Sequence, residues 1–198
     1  KNIYVEGNVN AITLATVPAG KALSVILTHD VDYTRSMANA VEYAQFENSP
    51  GIKATYFIQT KYVRDWNDDI FFNAEAIASL SRLRDLGMEL ASHSVSHSYV
   101  FSAFPLGSGT ERYPDYRPFV KERRLAYNGT VLGELRVSRF LLERLLPQTK
   151  LSSFRAGHLQ HPFNLPEALA ATDYRFDSTM TANMALTHLP FQLNYSRG

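Results

Sequence analysis

No cysteine occurs anywhere in the chain, which rules out disulfides and thiolate-bound metal. That absence suits an exported protein, and the expectation is secretion or cell-envelope association in a bacterium. No apolar run approaches the roughly 20 residues needed to span a bilayer, so no membrane span is expected. Charge of one sign is also lacking: 20 Lys and Arg face 19 Asp and Glu, interspersed along the chain. A nucleic-acid binder would carry a basic stripe, so nucleic acid is not an expected partner. The one dense basic cluster, Lys121, Arg123 and Arg124, reads as a solvated helix end, with a polyanion patch as the alternative. Internal repeats and low-complexity segments are absent. An initiating methionine is missing too; the chain starts at Lys1 and reads as a processed or trimmed piece.

What is present suits a single well-buried domain over residues 1–198, with 45% apolar content. Short apolar runs alternate with amphipathic segments, the pattern of an α/β layout with a parallel sheet or barrel. The runs at 23–28, 54–59, 88–92, 153–155 and 175–177 read as strands buried on both faces. Helices are expected at 36–47, at 74–86, at about 130–146 and from residue 164. Asn73 is placed to cap the second of these and Gly87 to stop it. Pro147 ends the third, and Pro166 and Glu167 fall in the first turn of the fourth. Residues 1–22 read as a lead-in. Residues 99–128, rich in proline, glycine and aromatics, fit neither period and read as a long substrate-facing loop.

The chemistry concentrates at strand ends. His93-Ser94-Val95-Ser96-His97 follows the third strand directly, and histidines four apart on one helical turn can reach a single ion. Thr28-His29-Asp30-Val31-Asp32 closes the first strand with two acids. In such a pair one carboxylate can ligate an ion while the other takes a proton from its water. Arg155 follows the fourth strand, where a bidentate contact would hold a carboxylate ionised, and Asp177 is a further strand-end acid. Strand C-termini of an α/β sheet gather on one rim, so these groups are expected to meet. Two imidazoles and a carboxylate suit zinc, with cobalt, nickel or iron as alternatives, and disfavour calcium and magnesium. The His-Glu-x-x-His peptidase motif is absent, since Ser94 stands at its glutamate, and no Gly-x-Ser-x-Gly elbow exists.

These residues resemble the polysaccharide deacetylase family, the NodB-homology domains of carbohydrate esterase family 4. The resemblance runs from about Leu23 to Ser178, with His93–His97 matching the family's His-Ser/Thr-x-x-His motif. It implies a distorted (β/α) barrel of the NodB type, here without its C-terminal part. It further implies Asp30 as general base, with Asp32, His93 and His97 as ligands of one divalent transition metal, zinc first. Arg155 would orient the base, the backbone N–H of His158 would stabilise the oxyanion, and Asp177 would match the fourth-motif acid. Gly157 and His158 stand where the family has proline and tyrosine, and Ser178 where tryptophan often follows. The general-acid histidine is expected beyond Gly198, with His188 of Leu186-Thr187-His188 as the alternative within the chain. The implied substrate is an N- or O-acetylated carbohydrate. A cyclic amide at the same metal site and a degenerate glycan-binding domain are the competing readings.

Overall fold

A computed structural model describes residue 17, residues 21–66, residue 70 and residues 72–185. Five short strands form one parallel sheet: β1 (Thr28–Val31), β2 (Thr55–Ile58), β3 (Glu89–Ser92), β6 (Ser153–Phe154) and β7 (Phe176–Asp177). Their order across the sheet follows the chain, β1-β2-β3-β6-β7, with no reversal. Helices α1 (Thr34–Asn48), α2 (Ala74–Asp85), α3 (Val131–Leu145) and α4 (Leu165–Ala171) alternate with them, and α5 (Ala182–Ala185) follows β7. Winding in one direction is the layout of a (β/α) barrel sector, and it sets every strand C-terminus on the same rim.

Local chemistry accounts for the helices. The Asn73 side chain accepts from Ala76 N at 3.1 Å, capping α2, and Gly87 ends it with φ 74°. Thr130 caps α3 in the same way through Gly133 N at 3.0 Å. Leu80 and Leu83 of α2 are fully buried against Tyr56 and Ile58 of β2 and Met37, Ala40, Val41 and Ala44 of α1. Each such leucine stabilises the fold by about 1.5–3 kcal/mol. A second cluster, including Phe101, Leu135, Phe154, Leu165 and Tyr174, fills the space between the β6 side and helices α3 and α4.

Three expectations need correction. The first strand begins at Thr28, not at residue 23, and Leu23, Val25 and Ile26 are exposed. β1 lies at the sheet edge, so its ladder extends only as far as β2, which opens at Thr55 just beyond the Gly51 turn. Lys121, Arg123 and Arg124 do not end a helix. They lie on an antiparallel hairpin of β4 (Phe119–Glu122) and β5 (Leu125–Tyr127), so residues 99–128 are not all loop. Of the β4 residues only Val120 is buried, too short a pattern to announce a strand.

Candidate metal centre

Segment 93–97 is built differently from the helical turn expected. Ser94 and His97 have φ of 67° and 52°, in the left-handed region, so the chain loops instead of coiling. The loop is fixed from beneath. Oε2 of Glu134 accepts from Val95 N at 2.7 Å and Ser96 N at 2.8 Å, while Tyr116 OH donates to its Oε1 at 2.8 Å. Ser92 and Ser138 hydroxyls bond at 2.8 Å, and His97 N donates to Ser94 Oγ at 3.2 Å. Gly133 admits the Tyr116 ring, because a Cβ there would lie 2.1 Å from Tyr116 Cε2.

The sequence reading missed Glu134, although a signal existed. It lies on the helical stripe of Val131, Ser138 and Leu141, so a charged residue occupies the buried face of α3. Burial pushes its carboxyl above the ordinary value, and the hydrogen bonds from Ser96, Tyr116 and Val95 oppose that shift. Glu134→Gln is expected to destabilise the fold by about 1–2 kcal/mol, since one accepting oxygen becomes a donor facing donors. Zinc affinity should fall with it, read by thermal melts with and without zinc. An unchanged zinc-induced shift would sink the link to the loop.

Upon this support three donor groups converge. The Nε2 atoms of His93 and His97 are 3.1 Å apart and lie 3.4 and 3.6 Å from Asp32 Oδ1. All three ligand atoms fall within 4.8 Å of one another. His93 Nδ1 lies 2.7 Å from the Arg155 carbonyl, which only accepts, so Nδ1 carries the proton and Nε2 keeps its lone pair. Burial is the main cause that lowers the pKa of both imidazoles, His97 to about 2. Burial, with Asp30 beside it, raises Asp32 to about 7. The imidazoles are therefore neutral, and their contacts with Asp32 are not ion pairs. Asp32 Oδ1 is buried without a hydrogen-bond partner. Neutral imidazoles facing an unsatisfied carboxylate oxygen are donors lacking a Lewis acid, and this set fits a divalent transition ion.

Asp30 and Arg155 meet beside it. Arg155 Nη1 donates to Asp30 Oδ1 at 2.6 Å, and Nη2 to Thr28 Oγ1 at 3.0 Å and Ser178 Oγ at 2.7 Å. Its guanidinium lies 4.1 Å over the Phe57 ring. Asp30 Oδ2 remains 3.9 Å from His93 Nε2. Arg155 therefore serves twice, its side chain holding Asp30 and its carbonyl orienting His93. His29 points elsewhere, with its ring 4.6 Å from Tyr56 and its Nε2 2.6 Å from Glu47.

Asp177 does not reach the donor cluster by a hydrogen bond. Its Oδ1 accepts from the Thr179 amide and hydroxyl, and Thr179 Oγ1 accepts from Ala156 N at 3.0 Å, tying the ends of β7 and β6. His158 and Leu159 have φ of 51° and 53°, in the left-handed region, and the His158 ring lies 4.2 Å from His97 and is stacked on Tyr99 at 3.4 Å. Gly157 permits this approach, since a Cβ would lie 2.5 Å from His97 Cδ2. His188 lies outside the described residues. Two surface clefts, of about 740 and 580 Å³, lie around Arg117 and Asn128, and neither is lined by Asp32, His93 or His97.

No curated protein matches the chain. Among solved structures it is similar to the Streptococcus pyogenes deacetylase PplD in complex with acetate, at 15% identity and TM-score 0.51, covering 80% of this chain and 55% of that one. A CE4 family pseudoenzyme from Bacillus anthracis matches at 13% identity and TM-score 0.51, over 77% of this chain and 41% of that one. A mutant of that pseudoenzyme with restored enzymatic activity matches at 14% identity and TM-score 0.50, over 77% of this chain and 43% of that one. The chain thus spans between 41% and 55% of the length of these structures, and the likeness is one of fold. The family described as polysaccharide deacetylase matches residues 19–176, most of the sequence, and the chain belongs to that family.

Proposed function

We propose that the chain is the catalytic part of a metal-dependent deacetylase that hydrolyses acetyl groups on an N- or O-acetylated carbohydrate. The observation that carries this reading is the convergence of Asp32, His93 and His97 beside an Asp30 pinned by Arg155. A divalent transition ion, zinc first, would be held by Asp32, His93 and His97 and would supply Lewis acidity to the acetyl carbonyl and to a water.

The described residues divide orientation and water activation. The proton for the leaving amine or alcohol would come from a histidine outside them, His188 or one beyond Gly198. Arg155 occupies Asp30 Oδ1, which leaves Oδ2 to accept a proton from the attacking water. The Arg155 carbonyl fixes the His93 tautomer, so its Nε2 always presents a lone pair to the site. Gly157 and the His158 ring pack against His97, and the backbone N–H of His158 would serve the oxyanion. Asp177 acts at one remove: through Thr179 it holds Ala156 N and thereby the segment that carries Arg155 and His158.

Chelation tests this reading. Full-length protein treated with a chelator should lose acetate release from acetylated chito-oligosaccharides, and stoichiometric zinc should restore it. Acetate release that survives complete metal removal would refute the metal-dependent mechanism. Zinc binding without acetate release from any acetylated glycan would favour the degenerate, glycan-binding alternative.

A further inference from the structure

The β4–β5 hairpin carries three basic side chains within four residues. Residues 121–124 read Lys-Glu-Arg-Arg, with all four side chains exposed. Among the described residues, no acidic side chain forms an ion pair with Lys121, Arg123 or Arg124. The hairpin is anchored to the segment after β2 by Trp66 N donating to Val120 O at 2.9 Å.

Arg123 is the member that points toward the chemistry. Its Cζ lies 5.7 Å over the Tyr99 ring, Tyr99 stacks on His158, and His158 abuts His97. One cation is thus joined to a donor of the metal centre by three successive side-chain contacts. A guanidinium lying on an aromatic face is held in place, and its N–H edge stays free to fork onto a carboxylate. Its position matters because Tyr99 and His158 both border the region where an acetylated sugar would meet Asp32, His93 and His97. A glycan leaving that region along this row of rings would pass Tyr99 and reach Arg123.

We propose that Arg123, seated on Tyr99, forms a subsite that reads a carboxylate on the sugar beside the one being deacetylated, so that the preferred substrate is an acidic acetylated glycan. This rests on the deacetylase reading above. Lys121 and Arg124 add long-range attraction and no fixed geometry.

Two acetylated oligosaccharides of equal length test the subsite, one carrying uronic carboxylates and the other with those carboxyls reduced to alcohols. Titration calorimetry on the full-length, zinc-loaded protein should find the acidic oligosaccharide bound about tenfold more tightly at low salt, the effect of one charge-assisted contact. Arg123→Met keeps an apolar stem over Tyr99 and should bring the two affinities within about twofold, while Arg123→Lys should retain part of the preference. Added salt should shrink the preference of the parent protein. Equal affinities in the parent protein would overturn the subsite, as would an equal loss on both glycans in Arg123→Met, which would mark Arg123 as packing only. The two proposals fail separately. A preference without acetate release sinks the deacetylase reading and leaves the subsite, and equal binding with acetate release does the reverse.

Discussion

Asp30→Asn is expected to lower acetate release by about 10²–10⁴-fold while zinc affinity stays within a few-fold of the parent, because a general base contributes that much. Asparagine keeps the size of the side chain and can still accept from Arg155 Nη1, so the Arg155 anchor survives. What is lost is the second oxygen, since an amide cannot take a proton from water. The donors are spared because Asp32 Oδ1, His93 Nε2 and His97 Nε2 make the cluster without Asp30. Removing the Asp30 charge should also lower the Asp32 pKa, because Asp30 is second only to burial in raising it. Zinc affinity at mildly acidic pH should therefore rise slightly. A parallel loss of zinc and activity would show instead that Asp30 is a ligand, and unchanged activity would remove it from the mechanism.

His97→Ala is expected to weaken zinc binding by at least a hundredfold, about 2.7 kcal/mol. Partners of a ligand alone are worth 10–100-fold, and His97 would be one of only three protein ligands. The pH dependence of the parent protein should be unusual. Zinc requires Asp32 ionised and both imidazoles neutral. Without the ion, burial lowers both imidazoles and favours their neutral form, His97 to about 2, whereas Asp32 is raised to about 7 and holds a proton below that pH. Zinc binding at about pH 5 should then release close to one proton, from Asp32. Two ordinary histidines beside an ordinary aspartate would release nearly two. Affinity should climb with unit slope up to about pH 7 and then level. Calorimetry in buffers of different ionisation enthalpy measures the proton count, and a value near two would refute the neutral pair.

The same shifts fix the sign for the metal-free fold. Asp32, raised from 3.8, is stabilising only while protonated, so its contribution is complete below 3.8 and lost as pH rises through about 7. His97, lowered from 6.5, acts oppositely, costing stability as pH falls below 6.5. Between those limits the two oppose one another.

Much of the fold was legible because it is written in local chemistry. Asn73 and Gly87 delimit α2, Thr130 and Pro147 bracket α3, and β2 and β3 are short apolar runs whose burial requires a layer on each face. The meeting of the polar strand ends was legible too: Asp30 and Asp177 lie within the last two residues of β1 and β7, Asp32, His93 and Arg155 directly follow β1, β3 and β6, and parallel strands put those ends together. The resemblance already implied that Arg155 serves Asp30 and that Asp32 joins the histidines; packing supplied the contacts that do so. Arg155 pairs with Asp30 and not Asp177, because Asp177 is turned onto Thr179 by two bonds across only two residues. The histidines meet through a left-handed loop that no periodicity encodes, held by Glu134 from a helix some 40 positions away. Such contacts depend on side chains brought together after folding, and a local pattern carries no term for a partner that distant. The Asp32, His93 and His97 cluster was thus named by its letters, and its tautomer, neutrality and support were set by packing alone.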